Sequence, residues 1–255
     1  VIHPTAIISP EASLDPSVVV GPYVVIEGKV EIAAGTQIDS HSVIKGPCRI
    51  GKDNHIYSHA VLGEVPQDLK FHGEHTTLEI GDRNQIREFS SIHRGTEGGG
   101  GVTRIGSDVL VMAYAHIAHD CQIGNHVILA NAASLAGHVT VGDHAIFGGF
   151  AVAHQFCRIG AHAFIGGFSK LSKDVPPFVM ADGARARSIG LNKEGLKRRH
   201  FDADTIALLN RCFRQLVKKQ GDEMVWAEFE QAAETEPALQ QMLDFIKGSE
   251  RGITR

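Results

Sequence analysis

Aromatic side chains make up only 6% of this 255-residue chain, which excludes a thick core built on large rings. No apolar run approaches the roughly 18 residues that a membrane-spanning helix needs, and no cleavable leader pattern is visible at the start of the chain. Basic residues are not in excess: the formal net charge is −4, which argues against a general nucleic-acid binder. Cysteines are few, at positions 48, 121, 157 and 212, and none forms a C-x-x-C pair. Reduced, buried thiols in a cytoplasmic protein are the expectation, rather than disulfides or a metal cluster.

What the chain has instead is a repeat. Counting by six from Ile8 gives Leu14, Val20, Ile26, Ile32, Ile38, Ile44, Ile50, Ile56 and Leu62. The phase resumes at Ile80, Ile86 and Ile92, slips by one, and continues from Ile105 through Val111, Ile117, Ile123, Leu129, Leu135, Val141, Phe147, Ala153, Ile159 and Ile165 to Leu171. A small residue usually stands two places earlier, as at Ala6, Ala12, Val18, Thr36, Ser42 and Cys48. Period-two alternation puts both inward, with the residue between them outward. Cys121 and Cys157 share the small inward phase, which predicts packing and not chemistry. Gly often follows the aliphatic residue (Gly21, Gly51, Gly63, Gly81, Gly106, Gly124, Gly142, Gly160), where a corner of the coil would require positive φ. One short strand per hexad and three hexads per turn predict a triangular parallel β-helix with 18-residue coils.

The pattern lapses over 64–79 and 93–104, which are expected to be loops leaving the coil, and long loops on a rigid scaffold often carry function. The β-helix is expected to occupy 1–177, followed by an extended or irregular connection over 178–192 and a C-terminal α-helical domain over 193–255. Asp202 is a candidate N-cap for a helix with the apolar stripe Ile206, Leu209, Phe213 and Leu216, and Pro237 opens a later helix. The fold class is therefore an all-β solenoid plus α.

Coil length determines which outward residues are neighbours. His119, Gly137 and Gln155 form one column, and Asp120 stacks beneath His138. A histidine beside a residue without a side chain pairs a general base with an unobstructed amide suited to an oxyanion. Histidines crowd this stretch (His93, His116, His119, His126, His138, His144, His154, His162), and most outward histidines on such a surface need no function. The Asp120 neighbour and the Gly137 partner single out His119.

The segments HIAHDC (His116–Cys121), GDRNQIRE (Gly81–Glu88), IHRGT (Ile92–Thr96), LAGHV (Leu135–Val139), HQF (His154–Phe156), DVPP (Asp174–Pro177) and EGLKRR (Glu194–Arg199), with QDLK (Gln67–Lys70) and the closing RGITR, resemble the UDP-N-acetylglucosamine O-acyltransferases. The resemblance runs along essentially the whole chain. It implies a left-handed parallel β-helix, a homotrimer with sites in clefts between solenoids, no cofactor and no metal. It also implies transfer of a 3-hydroxyacyl group from acyl carrier protein to the sugar 3-hydroxyl in the first step of lipid A biosynthesis. His119 would be the base, Asp120 its orienter and the Gly137 amide the oxyanion donor. Asp68, Lys70, His93, His116, His138 and His154 would line the cleft, and Gln155, Asn192, Glu194, Arg198 and Arg199 would bind the nucleotide end. Gly167 matches the position that limits acyl length. Strict alternation from Ile165 could turn Gly167 inward, but Gly166–Gly167 sits at a coil corner where alternation breaks, and the resemblance implies that Gly167 faces the acyl groove. Arg185 departs from the histidine associated with the ruler.

Charge fits such a donor. From Lys193 to Lys219 eight Lys or Arg face three Asp or Glu, whereas Gln220–Arg255 has three against eight. A local basic face suits an acidic carrier protein. Rival readings are an acetyl-CoA-dependent hexapeptide acetyltransferase, a zinc hydratase with histidines shared across a trimer, and a purely structural solenoid.

Overall fold

The computed structural model describes all residues, 1–255. Strands of two to four residues recur once per hexad because each hexad supplies a single inward aliphatic residue before the chain must turn. They assemble into three flat faces of nine, eight and ten strands. The first face runs from Ile7–Ile8 to Lys170–Leu171, and the second from Ser13–Leu14 to Arg158–Ile159. The third begins at Val19–Val20. Successive strands of a face pair in parallel at equivalent positions of adjacent coils, so Val111, Leu129, Phe147 and Ile165 stack in one inward row. One continuous core extends from Val18 to Ile253, without a break between solenoid and helices. All four cysteines are free and buried in it, and burial pushes the Cys48, Cys121 and Cys212 thiols up to about 12.

The corners differ from the sequence expectation. Of the eight glycines that follow an aliphatic residue, only Gly63 has positive φ. The left-handed conformation falls two residues later, on Tyr23, Asp53, Arg83, Asp108, His126, His144 and His162. The glycines are needed for a different reason: successive coils touch backbone to backbone there. A Cβ on Gly81 would lie 2.6 Å from the Gly106 carbonyl oxygen, and one on Gly106 would lie 2.6 Å from that of Gly124.

The two lapses in the repeat are shorter than expected. Glu64 ends the strand Val61–Glu64 and Thr77–Ile80 is a strand, so the first loop is 65–76 and not 64–79. His93 ends the strand Ser91–His93 and Val102–Ile105 resumes pairing, so the second is 94–101 and not 93–104, with one 3-10 turn over Glu97–Gly99. Polar residues mask the pattern at these strand ends while the backbone keeps pairing, through a register shift between Leu62 and Glu64 that sets Glu64 opposite His93.

Residues 178–192 form neither an irregular linker nor a simple extension. Val179–Asp182 pairs in parallel with Phe164–Ile165, and Arg187–Leu191 returns antiparallel to it, which ends the third face. Four α-helices follow: α1 Lys193–Arg198, α2 Ala203–Cys212, α3 Glu223–Ala233 and α4 Pro237–Lys247, with a π-helical turn Phe213–Lys218 continuing α2. The Asp202 side chain accepts from the Thr205 N–H at 2.7 Å and so caps α2, and Ile206, Leu209, Phe213 and Leu216 are all buried. Helices and hairpin cover the last coil, whose open strand edges would otherwise pair with other chains. No helix is long and apolar enough to cross a membrane.

If close coil approach is what the corner glycines serve, Gly106→Ala should destabilise the fold by about 1–3 kcal/mol, the usual cost of overpacking. Gly98→Ala, where a Cβ meets nothing within 4 Å, should stay within about 0.5 kcal/mol of the parent. Denaturant unfolding of the two variants measures the difference, and equal effects would contradict the reading.

Candidate active site

One edge of the prism gathers most of the chemistry. The corner between the first and second faces emits both long loops, 65–76 and 94–101, and in the next three coils carries the turns at 119–120, 137–138 and 155–156. Loops that emerge above a turn in the stack fold over it, so the coil register brings residues far apart in sequence to one place.

At the centre, His119 Nδ1 lies 2.8 Å from Asp120 Oδ2. A carboxylate only accepts, so this bond places the imidazole proton on Nδ1 and leaves the Nε2 lone pair free. The Asp120 side chain is 0% exposed and that of His119 13%. Gly137 packs directly against the ring: a Cβ there would lie 2.5 Å from Cε1 and 2.6 Å from Nε2. The Gly137 carbonyl accepts from the Phe156 N–H at 3.1 Å, while its own N–H finds no acceptor in the chain. The corner between the second and third faces closes the same position with side chains. There Ser107 N–H donates to Asn125 Oδ1 at 2.9 Å, and Asn125 N–H donates to Asp143 Oδ1 at 2.7 Å. The His119 corner therefore presents a free base nitrogen beside a free backbone donor, which is the pair that acyl transfer needs.

Histidines surround this pair. His138 meets the His119 ring edge-on at 5.0 Å and stacks on Phe156 at 4.3 Å. Burial lowers its pKa, which the Asp120 and Asp68 carboxylates partly offset. His93 and His116 meet edge-on at 5.0 Å, and Ser91 Oγ sits 2.8 Å from His116 Nδ1. Burial depresses His93 to about 4, with His116 adding to the effect, so it is neutral at ordinary pH. Its Nδ1 is buried without a partner in the chain. Lys70 is exposed in the first loop, whose turn Asp68 braces by accepting the Lys70 N–H at 3.0 Å. His154 and Gln155 are exposed one coil beyond Gly137, with Arg251 3.4 Å from His154 Nδ1.

Other expected site residues lie elsewhere in the single chain. Asn192, Glu194, Arg198 and Arg199 are at the corner between the second and third faces. The Asn192 side chain caps α1, accepting from Gly195 N–H at 3.1 Å and donating to the His162 carbonyl at 2.9 Å. Glu194 pairs with Lys197 at 2.9 Å. Arg198 and Arg199 are exposed, and Arg199 lies close enough to disfavour charge on His144 and His162. Gly167 is at the third corner, exposed beside the stacked Phe150 and Phe168, which excludes the inward orientation. Arg185 lies at the hairpin tip whose Gly183 and Ala186 bond Lys170. Sequence reasoning missed Thr96, whose contact with Asp120 depends on loop geometry that no spacing reveals, and Thr103, which reaches the Asp120 N–H from the strand Val102–Ile105 one coil before.

His119, Asp120 and His138 each place a ligand-type atom within 4.8 Å of the others. Both Asp120 oxygens, however, already accept from Thr96, and Oδ2 also from His119, so the arrangement fits a base and its orienter better than a metal centre.

Comparison with known proteins agrees. Residues 174–254 match the family model described as UDP N-acetylglucosamine O-acyltransferase, domain 2, and 103–137 match the bacterial transferase hexapeptide model. The UDP-N-acetylglucosamine O-acyltransferase of Moraxella catarrhalis is 45% identical and superposes with a TM-score of 0.96, covering 100% of this chain and 99% of that one. The Francisella novicida enzyme is 37% identical with a TM-score of 0.96, covering 100% of this chain and 94% of that one. The Arabidopsis enzyme is 37% identical with a TM-score of 0.86 over 100% of both. This chain belongs to the UDP-N-acetylglucosamine O-acyltransferase family. It is an acyltransferase, and its solenoid is the left-handed parallel β-helix of that family.

Burial of neutral histidines makes the acyltransferase fold sensitive to acid. His93 and His162 are depressed from 6.5 to about 4, mainly by burial. The unfolded chain therefore binds more protons between those values, and stability should fall as pH drops from 6.5 toward 4, by up to about 1.4 kcal/mol per pH unit for each group. His162→Gln should flatten the decline in Tm across that window. An unchanged slope would contradict the assignment.

Proposed function

We propose that this protein transfers a 3-hydroxyacyl group from acyl carrier protein to the 3-hydroxyl of UDP-N-acetylglucosamine, the opening step of lipid A biosynthesis, with His119 as general base. The bond that fixes the imidazole proton on Nδ1, and so leaves Nε2 free beside Gly137, carries the reading. Nε2 takes the proton of the sugar hydroxyl as its oxygen attacks the thioester carbonyl. The Gly137 N–H donates to the developing oxyanion. Collapse of the tetrahedral intermediate breaks the C–S bond, and the imidazolium returns its proton to the leaving thiolate, giving an ester and a free carrier thiol. Asp120 stays ionised throughout and stabilises the imidazolium.

Three further features support the substrates. The first face is bounded by the His119 corner on one side and the Gly167 corner on the other, so a tail crossing it past Ser134 and Val152 reaches the open position at Gly167. Arg211, Arg214, Lys218 and Lys219 line a groove of about 640 Å³ on α2 and its π-helical turn, a basic dock for an acidic carrier protein. Separation of His119 from Arg198 and Arg199 within one chain favours a homotrimer in which one copy supplies the base and its neighbour the forked donors for the diphosphate. Its mass in solution tests that arrangement. Cytoplasmic placement fits both substrates.

The decisive assay pairs UDP-N-acetylglucosamine with hydroxyacyl carrier proteins of graded length and with acetyl-CoA. Turnover should require the carrier protein, and salt should raise the KM for it more steeply than that for the sugar nucleotide, whose charge is confined to one diphosphate. His119→Ala should lower the rate at least about 100-fold while leaving the fold intact, because the ring points outward. Retention of more than about a tenth of the rate would remove His119 as base, and preference for acetyl-CoA would favour the acetyltransferase reading.

A further inference from the structure

The base of the loop over 94–101 bonds the coil before it, through Arg94 to the Gly46 and Glu64 carbonyls and Gly95 to that of Thr77. Its side-chain contact with the coil after it is to the carboxylate of Asp120. Thr96 N–H donates to Oδ1 at 2.8 Å and Thr96 Oγ1 donates to Oδ2 at 2.6 Å, both contacts buried. Thr103 Oγ1 accepts the Asp120 backbone N–H at 2.8 Å, which holds the residue in its left-handed turn at φ 60°. Gly99 is set by the same contact, since a Cβ there would strike the Asp120 carboxylate; one on Gly95 would meet the Val102 backbone N first and then come within 2.8 Å of Oδ1.

We infer that Thr96 is a positioning residue for acyl transfer, acting through Asp120 on His119. The inference rests on the reading of His119 as base. Asp120 Oδ2 has two donors in bonding range, Thr96 Oγ1 at 2.6 Å and His119 Nδ1 at 2.8 Å, while His138 Nδ1 waits at 3.8 Å. The two-point grip of Thr96 stops the carboxylate from rotating about its own axis. It therefore decides which histidine the second oxygen faces. With the grip in place, His119 keeps its proton on Nδ1 and aims Nε2 past Gly137. Without it, the carboxylate can turn toward His138, and the His119 ring loses the partner that fixes its tautomer. The second loop is thus a clamp on the catalytic pair, reaching back to it from the preceding coil.

Thr96→Val removes the hydroxyl at nearly constant volume, and Thr96→Ser restores it. Thr96→Val should lower kcat about 10–100-fold, the range for a hydrogen bond to a charged group, with KM for UDP-N-acetylglucosamine within about twofold. Thr96→Ser should recover activity to within about threefold of the parent. In an Asp120→Asn background, Thr96→Val should cost little more, because both changes act through one contact. An unchanged kcat in Thr96→Val, an equal loss in Thr96→Ser, or a fully additive loss with Asp120→Asn would each overturn the inference. Should Thr96→Val lose its fold, Gly99→Ala disturbs the carboxylate from the other side, and an unchanged kcat there would also overturn it. His119→Ala is measured alongside: if it stays active, the reading of the base has failed, whereas an inactive His119→Ala with a fully active Thr96→Val isolates the failure to Thr96.

Discussion

Coil stacking is the constraint on which the rest of the structure depends. Each coil lies on the last in parallel register, closely enough at the corners that Gly81, Gly106 and Gly124 meet the neighbouring backbone with no room for a Cβ. Such a stack cannot shift by one residue without exposing its aliphatic rows, because the side-chain period is two. The register consequently places outward side chains as firmly as inward ones. His119 faces Gly137 for the same reason that Ile117 pairs with Leu135.

In the proposed mechanism the solenoid carries the His119–Asp120 pair on one coil and its accessories on neighbouring coils. The Asp120 carboxylate, removed from water, can be held by a loop that leaves from the coil before. The Gly137 amide escapes the ladder because the next coil offers Gln155 there, not the Asn or Asp that closes equivalent amides on the adjacent corner. Local sequence thus leaves a backbone donor free on one edge and closes its equivalents on another, on a nearly uniform scaffold. At the third corner an exposed ladder of Tyr23, His41, His59, Phe89 and Tyr114 stacks at about 5 Å intervals, which shows how strictly the register also aligns side chains without chemistry.

Much of this was legible in the sequence because an inward row at period six leaves no ambiguity of face. The His119–Gly137–Gln155 column followed from coil length alone, and so did the packing role of Cys121 and Cys157. What was not legible depended on local backbone geometry. Glycine after the aliphatic residue reads as a positive-φ signal, yet the strain falls on Asp120, His138 and their equivalents, since the corner turn needs its left-handed residue later. The loop limits were read too wide because Glu64, Thr77 and Thr103 pair as strands without aliphatic side chains. Thr96 carried no pattern at all; its role appears only when the loop is folded over Asp120. The distribution of Arg199 and His119 to different edges was invisible because pattern counts position along a coil, not the edge on which a later helix lands.

The central claim is that buried Asp120 fixes His119 as the Nδ1–H tautomer, with Nε2 unprotonated beside Gly137. Nitrogen NMR of the protein labelled at histidine, at a pH high enough that His119 is neutral and assigned with His119→Gln, measures that directly. The account predicts a protonated Nδ1 and a bare Nε2 for His119, with the preference lost in Asp120→Asn. A proton resident on Nε2 in the parent protein would contradict it.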